Sequence, residues 1–196
     1  DTSAPTISIG SVATDNVVNG SEKTSGVTVS GTTSAEDGQT VTVIWGGTTK
    51  TTTASGGSWS VSYASADVPA DGSTSITADV SDKAGNAATQ ATKSVTVDTV
   101  ASAPTVALTT DTGSSGTDKI TKTSGLSVSG TESSAVVEYS TNNSTWSTTA
   151  PSPSQGSNTV YVRQTDTAGN VSASTTFTYT YDTSAPTISI GSVATD

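Results

Sequence analysis

The sequence contains no cysteine, no histidine and no methionine, and only 7 lysines and arginines against 17 aspartates and glutamates. Without histidine or cysteine, the chain lacks the side chains of Ser-His-Asp and Cys-His catalysis and of thiolate or imidazole zinc sites. Carboxylate pairs remain as a catalytic chemistry, but no long insertion is present to build a substrate cleft. The net charge of −10 argues against nucleic acid as a partner, because phosphates need a basic surface. We therefore expect a protein that is not an enzyme.

Long apolar runs are also missing. No stretch approaches the roughly 18 apolar residues of a membrane-spanning helix, and the first residues do not read as a signal peptide. We expect no membrane insertion of this segment. The absence of cysteine means that stability comes without disulfides, which is common among exported bacterial proteins.

Apolar residues are scarce, at 31% of the chain, and serine and threonine make up about two fifths of it. Such a composition lies near that of disordered chains. The apolar residues nevertheless alternate with serine or threonine, as they do in half-buried strands. The alternating segments are 27–29, 41–43, 59–63, 95–97, 160–162 and 177–181. No segment sustains the helical period of 3.6, so we predict an all-β chain.

Internal repeats divide the sequence. Residues 1–15 and 182–196 both read DTSAPTISIGSVATD. A looser repeat matches KTSGVTVSGTTS, which begins at Lys23, with KTSGLSVSGTES, which begins at Lys122. A third pair is DKAGN from Asp82 and DTAGN from Asp166. We predict one domain over residues 1–98, a second over 99–182, and the first strand of a following repeat over 183–196.

Each module is expected to hold about seven short strands, the pattern of an immunoglobulin-like β-sandwich. Gly85 and Gly169 lie in the DxAGN turns, where a hairpin needs a positive φ. The segment 182–196 duplicates the first strand, and an added strand is ordered when it pairs with something. We therefore expect this segment to contact a neighbouring molecule.

The order of these motifs resembles a known family. Tandem modules with Ala-Pro-Thr openings, a Gly-Ser-Trp-Ser-Val strand, DxAGN turns and a closing Val-Asp-Thr resemble the bacterial Ig-like repeats of giant adhesins. The segment from Thr110 to Thr121 resembles the opening of another repeat of this kind. The resemblance covers essentially the whole chain. It implies type I secretion, a place on the bacterial cell surface and a stalk that serves adhesion and biofilm formation.

The resemblance also implies Ca²⁺ near the domain junctions, with neighbouring repeats as partners and the adhesive ligand bound elsewhere in the parent protein. Aspartate supplies 13 of the 17 acidic residues, and Ca²⁺ prefers carboxylate and carbonyl oxygens. In an Ig-like sandwich, the last hairpin loop lies at the N-terminal end of its module and the first loop at the opposite end. At the central junction, the predicted metal ligands are Asp98 and Asp166, joined by Asp15 or by Asp67 and Asp71. At the N-terminal junction, they are Asp1 and Asp82. At the C-terminal junction, they are Asp182 with Asp111 or Asp118.

A purely structural role for these residues remains open, since aspartate is common in turns and caps. The three tryptophans, Trp45, Trp59 and Trp146, have two interpretations as well. They could form a sugar-stacking platform, and an accessory carbohydrate- or ligand-binding module is the alternative function. A core role is favoured, because a sandwich with so little leucine needs tryptophan as filler.

Overall fold

The computed structural model describes residues 2–191. Its regular structure is nearly all β, which confirms the predicted fold class. The chain forms two compact units. The first runs to Ala101 and also includes Asp166–Val171, and the second comprises Ser102–Thr165 with the residues from Ser172 onward. The predicted domain boundary after residue 98 stays a prediction.

Two sheets and a short helix make up the first unit. Its elements are β1 (Val17–Val18), α1 (Gly20–Ser25), β2 (Val27–Thr32), β3 (Thr40–Trp45), β4 (Thr48–Thr53), β5 (Ser58–Tyr63), a 3-10 helix (Ser65–Asp67), β6 (Gly72–Val80) and β7 (Ala91–Val97). One sheet has the order β1-β7-β6-β3-β4, and β2 pairs with β5 in the other. The β1–β7 pair is parallel and the other pairs are antiparallel.

A segment before β1 extends the smaller sheet. The backbone N–H groups of Ser8 and Gly10 donate to the carbonyls of Thr32 and Ser30 over 2.9 and 2.8 Å. Ile7 pairs with Thr33 in an antiparallel bridge. Residues 6–10 therefore lie beside β2 as a third, strand-like segment.

The second unit repeats this plan with fewer strands. Its elements are β8 (Thr105–Leu108), β9 (Ile120–Thr121), β10 (Leu126–Ser129), β11 (Val136–Ser140), β12 (Gly156–Thr165) and β13 (Thr175–Tyr181). One sheet has the order β11-β12-β13-β9, and β8 pairs with β10 in the other. The β13–β9 pair is parallel, like the β1–β7 pair of the first unit.

The helix α1 corrects the expectation that the chain carries no helix signal. It begins after Asn19, whose side chain accepts a hydrogen bond from the N–H of Glu22, while the Glu22 carboxylate accepts one from the N–H of Asn19. This capping box satisfies two backbone donors at once. The helix spans six residues, too few for its hydrophobic period to be visible in the sequence.

The cores of the two units differ in size. In the first unit, Trp45 and Trp59 are buried among valines of both sheets, as predicted. Among the described residues of the second unit, the buried apolar core consists of Val160, Val162, Phe177 and Tyr179. The third tryptophan, Trp146, is half-buried, and the Arg163 guanidinium lies 4.1 Å from its ring centroid. A cation so placed covers the ring face.

Hydroxyl groups pair across strands on the solvent-facing sides of the sheets. The side-chain oxygens of Ser8 and Thr32 are 2.7 Å apart, and those of Thr159 and Thr178 are 3.0 Å apart. Threonine suits these positions because it is both polar and β-branched. The abundant serine and threonine thus form part of the folded sheets.

The last hairpin of each unit turns at its DxAGN sequence. Gly85 and Gly169 both have φ of +91°, as the sequence predicts. The turn of the first repeat lies between β6 and β7, and that of the second repeat, whose residues belong to the first unit, lies between β12 and β13. These two turns carry the first candidate ligands.

Candidate metal centre

The aspartate of each DxAGN turn is held in the same way. The carboxylate of Asp82 accepts hydrogen bonds from the backbone and side-chain nitrogens of Asn86 over 2.7 and 2.8 Å. Asp166 accepts the matching pair from Asn170, both over 2.8 Å. These bonds, led by the one from the Asn86 side chain, hold the pKa of Asp82 below its ordinary value. Each aspartate therefore supports its turn, and its oxygens keep lone pairs for a further partner.

Asn170 also holds the second of these turns in its place within the first unit. Its side-chain nitrogen donates to the backbone carbonyl of Asp98 over 2.8 Å, and its side-chain oxygen accepts from the N–H of Gly20 over 2.8 Å. The side chain of Asn19 adds a bond to the carbonyl of Ala168. The turn thus lies against the N-terminus of α1 and the residue that follows β7.

The arrangement brings Asp98 and Asp166 together. Their carboxylate oxygens lie within 4.8 Å of each other. Asp166 is buried, with 7% of its surface exposed. Two carboxylates this close repel each other. Neither ion pair of the described residues, Lys50–Asp67 or Arg163–Glu138, involves Asp166. A hard divalent cation that prefers oxygen ligands matches this donor set.

Glu132 is an acidic residue of the second unit whose contacts the sequence reasoning did not anticipate. In the second unit its Oε1 accepts from the N–H of Ser102 over 2.8 Å, and its own N–H donates to Oε1 of Gln164 over 2.9 Å. Ser102 follows Asp98 closely in the chain, and Gln164 lies just before Asp166. In the aligned repeats, Glu132 stands opposite Thr33.

The other aspartates predicted near Asp98 have separate partners. Asp15 accepts from the N–H of Val17 over 2.9 Å. Asp67 forms an ion pair with Lys50 at 2.7 Å. The hydrogen bond that the Lys50 side chain donates in this pair is the main cause that lowers the pKa of Asp67. The carboxylate of Asp71 accepts from the N–H and the hydroxyl of Thr99 over 3.1 and 2.8 Å. Asp71 therefore holds the residue directly after Asp98.

Gln155 takes the place of Asp71 in the second unit. It accepts hydrogen bonds from the N–H and the hydroxyl of Thr183 over 3.3 and 3.2 Å. The two Asp-Thr pairs, at 98–99 and 182–183, are thus fastened by equivalent contacts. The fastening residue is an acid in the first unit and a neutral amide in the second.

The C-terminal candidates gather partly. Asp111 and Asp182 line the same surface cavity of the second unit. Oδ2 of Asp111 accepts from the N–H of Lys119 over 2.9 Å, whereas its Oδ1 is buried and has no hydrogen-bond partner. A buried carboxylate oxygen without a partner is costly, and a cation is one ligand that would satisfy it. Asp118 instead accepts from the N–H of Ile120.

Asp1, the remaining predicted ligand, lies outside the described residues. Its predicted companion at the N-terminal junction, Asp82, lies in the first DxAGN turn. Metal binding by the predicted aspartates stays a prediction.

A family model for the bacterial Ig-like domain matches residues 2–99 and again residues 100–183. The chain belongs to the bacterial Ig-like domain family. The predicted resemblance and the tandem Ig-like fold are therefore confirmed.

Two solved structures of bacterial adhesins are similar to this pair of Ig-like domains. One is a Ca²⁺-stabilized adhesin that helps an Antarctic bacterium reach out and bind ice, with 27% identity and a TM-score of 0.62. The other, a 1.5-MDa bacterial ice-binding adhesin studied for its retention at the host cell surface, has 25% identity and a TM-score of 0.60. Each match covers 92% of this chain, but only 49% and 65% of the respective relatives.

A comparison with the curated proteins finds no match to these Ig-like domains. Among the described residues, no helix has the length and apolar character required to cross a membrane.

Proposed function

We propose that the chain is a non-catalytic extender segment of a bacterial cell-surface adhesin. It lies outside the cell, in a stalk of Ig-like repeats that supports cell adhesion and biofilm formation. Ca²⁺ bound by carboxylates near the junctions of consecutive repeats stiffens the stalk. Neighbouring repeats are its partners, and the adhesive ligand binds elsewhere in the parent protein.

The observation that carries the proposal is the close approach of Asp98 and Asp166. Asp98 directly follows the last strand of the first repeat, and Asp166 comes from the last hairpin of the second. An ion that takes oxygens from both therefore constrains two consecutive repeats. A similar solved structure is that of a Ca²⁺-stabilized adhesin, which favours calcium among the hard cations.

We propose Asp98 and Asp166 as the carboxylates of this central site. Bound Ca²⁺ would supply positive charge and up to eight oxygen contacts. The protein's own part is positioning: Asn170 orients the carboxylate of Asp166 and the carbonyl of Asp98 with the two hydrogens of one amide group.

Asp111 and Asp182 are the proposed ligands of the C-terminal junction, and the buried, unpartnered Oδ1 of Asp111 supports this choice. Asp1 and Asp82 are proposed for the N-terminal junction by the repeat relationship. Asp15 and Asp118 remain candidates, although each carboxylate already accepts a backbone hydrogen bond within its own loop.

Small-angle scattering with and without a calcium chelator tests the stiffening. We expect the chelated protein to show a wider distribution of maximum dimensions. A distribution that is the same in both solutions would overturn this mechanism. Calorimetric calcium titration tests the ligands separately: Asp98→Ala and Asp166→Ala should each weaken binding, whereas Asp79→Ala, outside every candidate site, should leave it unchanged.

The alternative function, an accessory carbohydrate-binding module, is not favoured by the tryptophans. Trp45 and Trp59 are buried, and Arg163 lies over the ring of Trp146. Stacking against a sugar needs an open aromatic face, which Trp45 and Trp59 do not offer, and Arg163 already occupies one face of Trp146.

A further inference from the structure

Asn19 and Gly20 form a pair with a distinctive chemistry. Of the seven asparagines in the chain, Asn19 is the one that is followed by glycine. The backbone nitrogen that follows an asparagine can attack its side chain at Cγ, and glycine hinders this attack least because it has no Cβ. The sequence therefore contains one position at which an asparagine is intrinsically prone to deamidation.

The fold favours both members of this pair. Asn19 caps α1, because its side-chain oxygen accepts from the N–H of Glu22 over 3.0 Å. Gly20 lies close to the chain that follows β7, since a Cβ at this residue would lie 2.8 Å from the backbone carbonyl oxygen of Thr99. The cap favours asparagine, and the close approach favours glycine. The labile pair is therefore a consequence of two structural requirements.

The second DxAGN turn holds the atoms that deamidation would have to move. The nitrogen of Gly20, which would attack, donates its hydrogen to Oδ1 of Asn170 over 2.8 Å. Nδ2 of Asn19, which would leave, donates to the carbonyl of Ala168 over 3.2 Å. Together with the cap bond from Glu22, three hydrogen bonds hold the attacking nitrogen and the side chain that it would attack. All of these residues belong to the first unit.

We propose that Asn19 is a deamidation site, which the second DxAGN turn protects and which reacts when that turn leaves the N-terminus of α1. The nitrogen of Gly20 then attacks Cγ of Asn19, the Cγ–Nδ2 bond breaks, and ammonia leaves with the proton that Gly20 loses. Water opens the resulting succinimide at either of its two carbonyls. The products are aspartate or isoaspartate at position 19.

The product cannot restore the original contact with the turn. A carboxylate at position 19 has no hydrogen to donate to the carbonyl of Ala168, and its negative charge repels that carbonyl oxygen. Isoaspartate also lengthens the main chain by a methylene group at the start of α1. The reaction uses only Asn19, Gly20 and water, and it needs no bound metal. Opening of the turn therefore leaves a covalent change that closing does not reverse.

Mass spectrometry of tryptic peptides measures deamidation at Asn19. Trypsin releases residues 1–23, and fragmentation of this peptide distinguishes Asn19 from Asn16. We expect the reaction at Asn19 to be at least about tenfold slower in the folded natural protein than in the same protein unfolded in urea, because three hydrogen bonds must open first. Equal rates in the two states would overturn the proposal.

Asn170→Ala tests the role of the turn. This change removes the acceptor of the Gly20 N–H, so we expect deamidation at Asn19 to become about 2- to 10-fold faster in the folded variant. Asn86→Ala, the matched change in the first DxAGN turn, should leave the rate at Asn19 unchanged. An equal increase in both variants would show a general loss of stability and overturn the proposed protection by the second turn.

Glu22→Ala is a second variant, which loosens the cap and leaves the sequence of the turn intact. The Glu22 carboxylate accepts from the N–H of Asn19 over 3.0 Å, and its loss should also make deamidation about 2- to 10-fold faster. This variant decides the test if tryptophan fluorescence shows that Asn170→Ala does not fold. An unchanged rate in a folded variant would overturn the proposal.

Asn19→Asp reproduces one of the two products and tests its effect on the contact. We expect the Gly20 amide of this variant to exchange hydrogen about 2- to 10-fold faster than in the natural protein, because the bond to Ala168 is lost. Asn16→Asp is the matched control, since it adds the same charge nearby and keeps an acceptor for the N–H of Val12. Exchange in Asn19→Asp that equals that of the natural protein would overturn the proposed irreversibility.

Discussion

The side-chain amide of Asn170 donates a hydrogen bond to the backbone carbonyl of Asp98 over 2.8 Å. The two residues are 72 positions apart in the chain. The same amide group accepts a bond from the N–H of Gly20, so one side chain connects a hairpin turn, the end of β7 and the start of α1. This side chain positions both residues of the central candidate site, because its amide also donates to the carboxylate of Asp166.

Loss of this side chain has a local consequence that hydrogen exchange measures. In Asn170→Ala, the N–H of Gly20 loses its acceptor, and a lost hydrogen bond is worth about 0.5–1.5 kcal/mol. We expect the Gly20 amide to exchange about 2- to 10-fold faster. Asn86→Ala, the equivalent change in the first DxAGN turn, should leave Gly20 unaffected. Equal exchange of Gly20 in both variants would contradict the bridging role of Asn170.

Removal of calcium should lower thermal stability. At a free concentration 100 times Kd, one bound ion stabilises the folded state by about 2.7 kcal/mol, which for a domain of this size corresponds to roughly 10 °C or more. We expect a chelator to lower the melting temperature of the natural protein by this order. Asp166→Asn should respond far less, whereas Asp79→Asn should respond like the natural protein. Calorimetric scans of all three, with and without chelator, make the comparison.

Tyr63 should make the first unit sensitive to alkaline pH. Burial, with a smaller contribution from the charge of Asp67, raises the pKa of Tyr63 to about 12, and its hydroxyl donates to the carbonyl of Val43 over 3.0 Å. An unfolded tyrosine ionises near pH 10. The stability that this group contributes is therefore complete below about pH 10 and is lost as pH rises through about 12.

Tyr63→Phe provides the control for this alkaline loss. The variant should be less stable at neutral pH, because its hydrogen bond is gone, but its melting temperature should fall less between about pH 9 and about pH 12. Absorbance titration should find Tyr63 among the last tyrosines to ionise. Ionisation of all five tyrosines together near pH 10 would contradict the expected burial effect.

Gly31→Ala should destabilise the first unit strongly. The added Cβ would lie 1.8 Å from the carbonyl oxygen of Ser8 and 2.7 Å from the ring of Trp59, so either strand or ring must move. We expect a loss of about 1–3 kcal/mol or more. Gly10→Ala is the control, since its Cβ would lie 3.4 Å from the carbonyl oxygen of Ser30, an ordinary contact distance. Urea unfolding followed by tryptophan fluorescence in a Trp146→Phe background reports on the first unit alone.

The strands were predictable from sequence because their signal is local. Alternation alone identifies segments such as Val160–Val162, whose valines are buried, and the glycine of each DxAGN turn predicts its positive φ. The helix α1 was missed, although Asn19 and Glu22 have the spacing of a capping box. A short helix is stabilised by such caps and by tertiary contacts rather than by a period long enough to detect.

The candidate site was predictable only in part. The repeats place Asp98 and Asp166 at the ends of strands, which was enough to pair them. They do not reveal that Lys50 engages Asp67, because these residues lie on separate elements and meet through the fold. Glu132 has no acidic counterpart in the first repeat, so the recurrence of motifs gives no signal at this position.

The hydrogen bonds between paired hydroxyls on the outer faces of the sheets should not weaken as ionic strength rises. Mobile ions weaken attractions between exposed charges, but a serine–threonine hydrogen bond carries no net charge for them to screen. Only two ion pairs occur among residues 2–191, and one of them, Arg163–Glu138, joins β12 to β11. Cross-strand bonds such as that between Thr159 and Thr178 join neutral groups. Dissolved salt reduces the repulsion among the surplus carboxylates and leaves these bonds intact. The cross-strand hydrogen bonds between hydroxyls should therefore persist in both low-salt and high-salt solutions.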